Sequence, residues 1–516
     1  MLLAGSNVTE NHPVLGAALK RAVTQHGTKL VVADPRKVDA VRFADVWLRS
    51  HPGTDVIWIN ALAHVILHEG LHDADYIAAR TEDFDAYAAS LDAFTPEYAE
   101  RMCGIPAEDL RKAARLYATG RGAVLYCMGI TQHVSGTDNV KALANLTMLC
   151  GNIGIEGGGL NPLRGQNNVQ GACDMGALPA TYPAYGSVVD ETVRKRFEAA
   201  WGTQLSPKMG MTSREMFEAI DTNTLKALYL VGENPAVSHA DSSHAAHCLE
   251  KLPFLVVQDI FLTETAKMAD VVLPAACFAE KNGTFTNTER RVQRVQKAVQ
   301  PPEGARDDAQ ILCEIAFRMG VELIAGQGKN AELIFEEIAA VAPSYGGLSY
   351  NRIAKKGIQW PCPDDQSDGT PILHVGSFAR GKGKFHPVSY VEPAEIVDEE
   401  YPLVLTTGRV LYQYHTGTMT RKATGLDDRM PSAYLEISAE DAATFNVEDG
   451  QMITVRSRRG AIAVPARISP KAVAGTVFIP FHFAEAAANV LTSSAACPES
   501  GIAEVKVCAV TLQLAS

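Results

Sequence analysis

The sequence predicts an α/β fold: two Rossmann-like parallel-sheet domains followed by a C-terminal β-barrel-like domain. Three observations lead there. A strand–glycine turn–helix–strand unit occurs twice with matched spacing. Helical periodicity fills the intervening stretches, as in α/β crossovers. From about residue 400 onward the pattern changes to short strands broken by turns.

The repeat comes first in chain order. Leu2-Leu3-Ala4-Gly5-Ser6-Asn7 is an apolar strand that stops at Gly-x-Asn, and Leu228-Tyr229-Leu230-Val231-Gly232-Glu233-Asn234-Pro235 does the same. Each copy continues through a helix-compatible stretch to a second apolar strand, Leu30-Val31-Val32-Ala33-Asp34 or Phe254-Leu255-Val256-Val257-Gln258-Asp259. Gly to Asp is 29 residues in the first copy and 27 in the second, and each Asp is followed eleven residues later by another, Asp45 and Asp270. Such a unit offers helix-terminal N–H groups to a phosphate and an acidic strand end to a ribose or base edge. One copy alone is equally an ordinary crossover. Two matched copies predict two half-sites, for a ligand with two nucleotide ends or for two nucleotides.

Residues 55–70 and 106–118 read as helices. His64 and His68 lie four apart on the first, but the order H-E-x-x-H is missing, which argues against a metal pair. Residues 342–395, rich in Gly, Pro, Lys and Asp, read as connecting loops. Leu403–Thr407 is a strand, and Ser438-x-x-Asp441 is a helix start. Residues 451–468 form a hairpin with its turn near Arg459-Gly460, and Gly475–Phe483 is a further strand. The boundaries predicted from these patterns are 1–166, 167–395 and 396–516.

Composition narrows the function. The net charge of −12 excludes a general nucleic-acid binder. No run of eighteen apolar residues occurs, which argues against a membrane span. The ten cysteines are scattered without a C-x-x-C pair, which predicts free thiols in a reducing, cytoplasmic compartment and gives no iron–sulfur motif. The N-terminus lacks the basic region of a signal peptide and starts inside a strand, so the chain is expected to be the later part of a longer protein.

Residues 151–176 are dense in Gly and side-chain amides and contain one basic residue, Arg164. A plain surface loop explains the glycines but not Gln166, Asn167, Asn168 and Gln170. Amides beside Gly suit close approach to a polar heterocycle such as a pterin or guanine. A lone arginine suits a carboxylate, whose two oxygens its planar fork can bond.

The stretch Asn161-Pro162-Leu163-Arg164-Gly165-Gln166-Asn167-Asn168-Val169-Gln170-Gly171-Ala172-Cys173-Asp174-Met175-Gly176 resembles the active-site loop of molybdopterin-dependent formate dehydrogenases of the dimethyl sulfoxide reductase superfamily. Further landmarks fall in the same order: Gly5-Ser6-Asn7 with His12-Pro13, Asp34-Pro35-Arg36, Pro52-Gly53-Thr54-Asp55, Met128-Gly129-Ile130-Thr131-Gln132, Gly232-Glu233-Asn234-Pro235, Gln258-Asp259-Ile260-Phe261 and Thr407-Gly408-Arg409. The resemblance implies a catalytic subunit that oxidises formate to CO2 at a bis-(molybdopterin guanine dinucleotide) centre holding molybdenum or tungsten. Its two guanine arms match the two copies of the repeat.

By the same resemblance, Gly5, Asn7, Asp34, Arg36 and Asp55 contact one arm, and Gly232, Gln258, Asp259 and Asp308 the other. Met128, Thr131 and Gln132 line the cofactor. A six-stranded double-psi β-barrel-like domain closes over it with Thr407, Gly408, Arg409, His415 and Asn489. Arg164 orients formate, with Gln166 beside it. The family's four-cysteine 4Fe-4S domain and its cysteine or selenocysteine metal ligand find no match here, so no metal-ligating residue is assigned. Three readings follow: a fragment of a full-length enzyme, a split subunit whose partner chain brings the cluster, or a non-catalytic cofactor-binding protein. A nitrate-reductase-like enzyme is the rival chemistry, and Arg164 in its amide-rich loop favours formate. The expected partners are formate and an iron–sulfur or NAD-reducing electron-transfer subunit, with no nucleic acid.

Overall fold

The computed structural model describes residues 1–323 and 330–514. Strands β1 (Leu2–Ala4), β2 (Val31–Ala33), β3 (Val46–Leu48), β4 (Ala123–Tyr126) and β5 (Gly159–Pro162) form one parallel sheet in the order β3-β2-β1-β4-β5. Strands β1 and β2 are buried at every residue, as parallel sheets require, while β4 alternates half-buried and buried residues. The helix Asp55–His68 is apolar nearly all round and is buried through Ala63, with Trp58 wholly inside. Helix Ala107–Ala118 packs against it by the expected apolar stripe, Leu110, Ala113, Ala114 and Tyr117. His64 and His68 are committed locally: His64 Nδ1 lies 2.9 Å from Leu91 O, and the two rings stack with centroids 4.0 Å apart.

Strands β6 (Ala227–Val231), β7 (Phe254–Asp259) and β8 (Val271–Pro274) form the second parallel sheet, in the order β8-β7-β6. The two copies of the repeat therefore fold alike, down to their acidic residues. Asp45 Oδ2 accepts the Leu30 N–H at 2.9 Å, and Asp270 Oδ2 accepts the Leu255 N–H at 2.7 Å. Each carboxylate thus satisfies a backbone donor at a strand start. The Gly5 N–H donates to Ala33 O at 2.9 Å and the Gly232 N–H to Gln258 O at 2.8 Å, so each glycine is tied to the end of the neighbouring strand.

The C-terminal strands β9 (Leu403–Gly408), β10 (Leu435–Ile437), β11 (Met452–Arg456), β12 (Ala461–Ile468), β13 (Thr476–Pro480) and β14 (Cys508–Leu514) close into the six-stranded barrel, in the order β9-β13-β10-β12-β11-β14. The β11–β12 hairpin pairs Arg456 with Ala461 across the predicted turn. Ser438 caps its helix by accepting the Asp441 N–H at 3.0 Å. Within 342–395 only short pieces form, including Tyr350–Ile353, Ile358–Gln359 and Gly383–Lys384.

The chain falls into two units. Unit 1 comprises residues 1–163, 237–243 and 372–516, and so holds the five-stranded sheet and the barrel. Unit 2 comprises 164–236 and 244–371 and holds the second parallel sheet. No helix among the described residues is long and apolar enough to cross a membrane.

Candidate functional site

In unit 1 the strand order reverses between β1 and β4, and a crevice at the carboxyl ends of such strands is where α/β sheets bind ligands. Two glycines meet there backbone to backbone. Gly5 has φ +53°, and a Cβ on it would lie 2.7 Å from the Gly129 carbonyl carbon. A Cβ on Gly129 would lie 2.6 Å from Gly5 Cα, and the Gly129 N–H donates to Gly5 O at 3.1 Å. The short helix Met128–Thr131 follows, with Met128 exposed, Thr131 Oγ1 donating to Met128 Sδ at 3.4 Å, and Gln132 closing its end. Asn7 is buried and accepts from Thr9 Oγ1 at 3.0 Å.

Asp34 ends β2. Burial pushes its carboxyl up to about 6, against the opposing pull of the Arg36 N–H that donates to Oδ1 at 2.9 Å. Arg36 turns to the barrel: Nη2 and Nε donate to Glu436 Oε1 at 2.8 and 3.1 Å, and its guanidinium lies 3.6 Å from the centre of the Phe478 ring. Both partners are almost wholly buried, so Arg36 clamps the strand end to the barrel rather than standing as an open ligand. Removing one member leaves a buried, uncompensated charge. Glu436→Ala is expected to destabilise the chain by about 3–5 kcal/mol, while Arg36→Met/Glu436→Leu recovers most of that loss. Urea unfolding of the three proteins checks this, and equal losses in single and double variants would contradict it. Asp55 accepts from Trp58 Nε1 at 3.0 Å, lies 3.6 Å from His133 Nε2, and has its pKa raised by burial.

The barrel supplies cations to the same unit. Arg409 follows Gly408 at the end of β9, and burial lowers its pKa, with Cys127 and Tyr414 acting to raise it. A Cβ on Gly408 would lie 2.7 Å from the Phe478 ring, so this corner has no room for a side chain. Thr407 Oγ1 donates to Val505 O at 2.8 Å, and Lys506 Nζ donates to Thr407 O at 2.6 Å. Burial drives Lys506 down to about 8; Cys127 and Asp34 favour its charged form, while Arg409 and Arg36 oppose it. Arg36, Arg409, Lys506, Asp34 and Cys127 therefore form one electrostatically coupled group. Lys506 and Cys127 were not legible in the sequence, because neither sits in a motif.

His415 has φ +49°, and its carbonyl accepts from His482 Nδ1. His482 Nε2 accepts the Val410 N–H at 3.0 Å, which requires a neutral ring, and burial lowers its pKa to about 4. Asn489 Nδ2 donates to Val237 O at 3.2 Å and Ser238 O at 2.9 Å, both inside unit 1. Its amide thus fastens that returning segment.

Unit 2 carries the second half of the prediction. Gly232 has φ +63° and nothing within 4 Å of its Cβ direction. Gln258 is fully buried: Tyr229 donates to its Oε1, and its Nε2 donates to Asp308 Oδ1 at 2.5 Å. Asp308 also pairs with Lys281, whose pKa burial lowers and which the sequence did not single out. Asp259 accepts the Ile260 and Phe261 N–H groups at 2.7 and 3.4 Å, and burial raises its pKa.

Arg164 opens unit 2, its N–H donating to Thr288 Oγ1 at 3.3 Å and its Nε to Gln170 Oε1 at 3.0 Å. Gln166 is half-buried on the same loop. Asn168 Oδ1 accepts the Thr286 N–H at 2.9 Å, and a Cβ on Gly171 would lie 2.2 Å from that oxygen. Elsewhere in unit 2, Asp221, His244 and Cys248 bring one donor atom each within 4.8 Å of one another. Lys251 Nζ lies 3.3 Å from Asp221 Oδ1, so this carboxylate already has a cation beside it.

Comparison with known proteins decides the family. The molybdopterin oxidoreductase pattern matches residues 1–318, and a molybdopterin dinucleotide binding domain matches residues 403–509. The chain belongs to the molybdopterin oxidoreductase family. It is 48% identical to the F420-dependent formate dehydrogenase subunit alpha of Methanocaldococcus jannaschii, over 99% of this chain and 76% of that protein. It is 37% identical to formate dehydrogenase H of Escherichia coli, over 99% of this chain and 72% of that protein. Among solved structures, acetylene hydratase from Pelobacter acetylenicus superposes with a TM-score of 0.79 at 20% identity, covering 100% of this chain and 77% of that one, a likeness of fold. The second match spans β9 to β13 and reaches into β14, so the dinucleotide-binding region of this molybdopterin oxidoreductase is the barrel that carries Arg409 and Lys506.

Proposed function

We propose that this chain holds a bis-(molybdopterin guanine dinucleotide) molybdenum or tungsten centre and oxidises formate to carbon dioxide as part of a formate dehydrogenase catalytic subunit. The observation that carries the reading is Arg164, braced by Gln170 at the head of an amide-rich loop, in a chain 48% identical to a formate dehydrogenase alpha subunit.

The residues present fit the cofactor. The Gly5–Gly129 contact leaves no side chain at the switch point, and Arg409 and Lys506 supply positive charge suited to phosphates. Asp34 and Asp259 lie at matching strand ends, and N–H donors of a guanine edge at each sheet would favour their ionised forms against the burial that raises their pKa. When bound, the metal centre would accept the two electrons of the reaction. Arg164 would hold the formate carboxylate and set its C–H direction. F420 joins NAD and ferredoxin as acceptors to test, since the methanogen relative is named for it.

The test is formate-dependent reduction of a viologen dye by the complete, metal-loaded enzyme. Formate turnover supports the reading; nitrate turnover without formate turnover contradicts it. Lys506 gives a separate check. Its ammonium persists below about 8 and is lost as pH rises through that value. Inorganic pyrophosphate changes its own charge over this range, so the two chains are compared: the cofactor-free chain should bind it more tightly than Lys506→Met at neutral pH, and that advantage should disappear as pH rises through about 8. Calorimetric titration reads both.

A further inference from the structure

We propose that Asp174 is a positioning residue for Arg164, acting through Gln170; this rests on the reading above that Arg164 binds the formate carboxylate. The geometry is a directed chain of hydrogen bonds inside unit 2. Asp174 is wholly buried. Its Oδ2 accepts from Tyr345 Oη and Trp360 Nε1, each at 2.7 Å. Its Oδ1 accepts from Gln170 Nε2 at 2.7 Å. Gln170 Nε2 also lies 3.0 Å from Tyr185 Oη, and Gln170 Oε1 accepts from Arg164 Nε at 3.0 Å.

The direction of this chain is forced by chemistry. A carboxylate only accepts, so the amide group of Gln170 facing Asp174 must be its NH2. The carbonyl end of Gln170 therefore faces Arg164, whose Nε–H only donates. Asp174 thus decides which way the Gln170 amide points, and the amide fixes the plane of the guanidinium through Nε. The buried negative charge also polarises Gln170 and so strengthens its bond to Arg164, without placing a carboxylate directly against the arginine. A neutral link of this kind leaves Arg164 its charge for a substrate anion. Tyr345 and Trp360 belong to the apolar cluster around Phe335 and Tyr350, so the far end of the chain is anchored in packed core.

Asp174→Asn reverses the polarity at one end. If the new amide keeps its oxygen toward Tyr345 and Trp360, its NH2 meets the Gln170 NH2. Gln170 must then turn over and present NH2 to the Arg164 Nε–H, which repels it. Loss of one such bond amounts to a change of about fivefold. The experiment uses the complete formate-oxidising enzyme and measures formate KM and kcat separately. Asp174→Asn is expected to raise the formate KM about fivefold or more with kcat within about twofold. In an Arg164→Ala background the same change should move KM less than about twofold, because the group being positioned is gone.

Gln170→Met, which keeps size but cannot accept from Arg164, should reproduce the KM rise and decides the matter if the Asp174 variant does not fold. A merely structural Asp174 would lower kcat and metal content together and multiply its effect onto Arg164→Ala; that outcome overturns the proposal. So does an unchanged KM in both Asp174→Asn and Gln170→Met while Arg164→Ala raises it. If Arg164→Ala itself leaves formate kinetics unchanged, the carboxylate-binding reading fails, and this proposal fails with it.

Discussion

Arg164→Ala in the complete enzyme is expected to lower kcat/KM for formate by roughly 10- to 150-fold. A hydrogen bond to a charged partner contributes about 1.5–3 kcal/mol, and each 1.4 kcal/mol is tenfold. Arg164→Lys should recover part of this, since it restores the charge but not the planar fork that matches two carboxylate oxygens. A formate KM that rises in the order Arg < Lys < Ala is the signature of carboxylate recognition. Steady-state kinetics on enzyme of equal metal content distinguishes it from a cofactor defect. Formate kinetics unchanged in Arg164→Ala would remove Arg164 from the site.

The second large effect concerns the glycines that open the two copies of the repeat. Gly5→Val places a β-branched residue at φ +53°, with its Cβ 2.7–2.8 Å from the Gly129 backbone. The conformation alone disfavours it by about 1–3 kcal/mol, and neither backbone can give way without moving β1 or β4. Cofactor retention and dye reduction should fall below detection, with a lowered Tm. Gly232→Ala is the informative contrast. Its φ is +63°, but nothing lies within 4 Å of the added carbon. It should show only the left-handed backbone penalty, about 1–2 kcal/mol, and remain folded. Differential scanning calorimetry of both variants tests the comparison, and equal losses would show that the close contact at Gly5 is not what matters.

Much of the fold was legible because its cues are local. Strand, glycine and acidic residue recur at nearly fixed spacing, and Asp45 and Asp270 take up matching backbone bonds at Leu30 and Leu255. The barrel's hairpin and the Ser438 cap follow equally local rules. The site was legible less evenly. Arg36 sits in a landmark motif, yet its guanidinium is engaged by Glu436 and Phe478, residues that no pattern near Arg36 announces. Asn489 likewise serves the 237–238 backbone within unit 1. Lys506 and Lys281 stayed hidden because an isolated lysine in a strand or loop carries no periodic signal. Only burial beside Thr407 or Asp308 distinguishes them. For Arg164 the sequence supplied the residue but not its support, since Gln170 is near in sequence while Tyr345 and Trp360 are distant from it.

The central claim is that each copy of the repeat serves one guanine nucleotide of a single metal-bound cofactor. Acid hydrolysis of the metal-loaded complete enzyme, with chromatographic quantification of released nucleotide against metal content, tests it most directly. The account predicts two equivalents of guanosine monophosphate per molybdenum or tungsten. One equivalent per metal, or a different nucleotide, would contradict it.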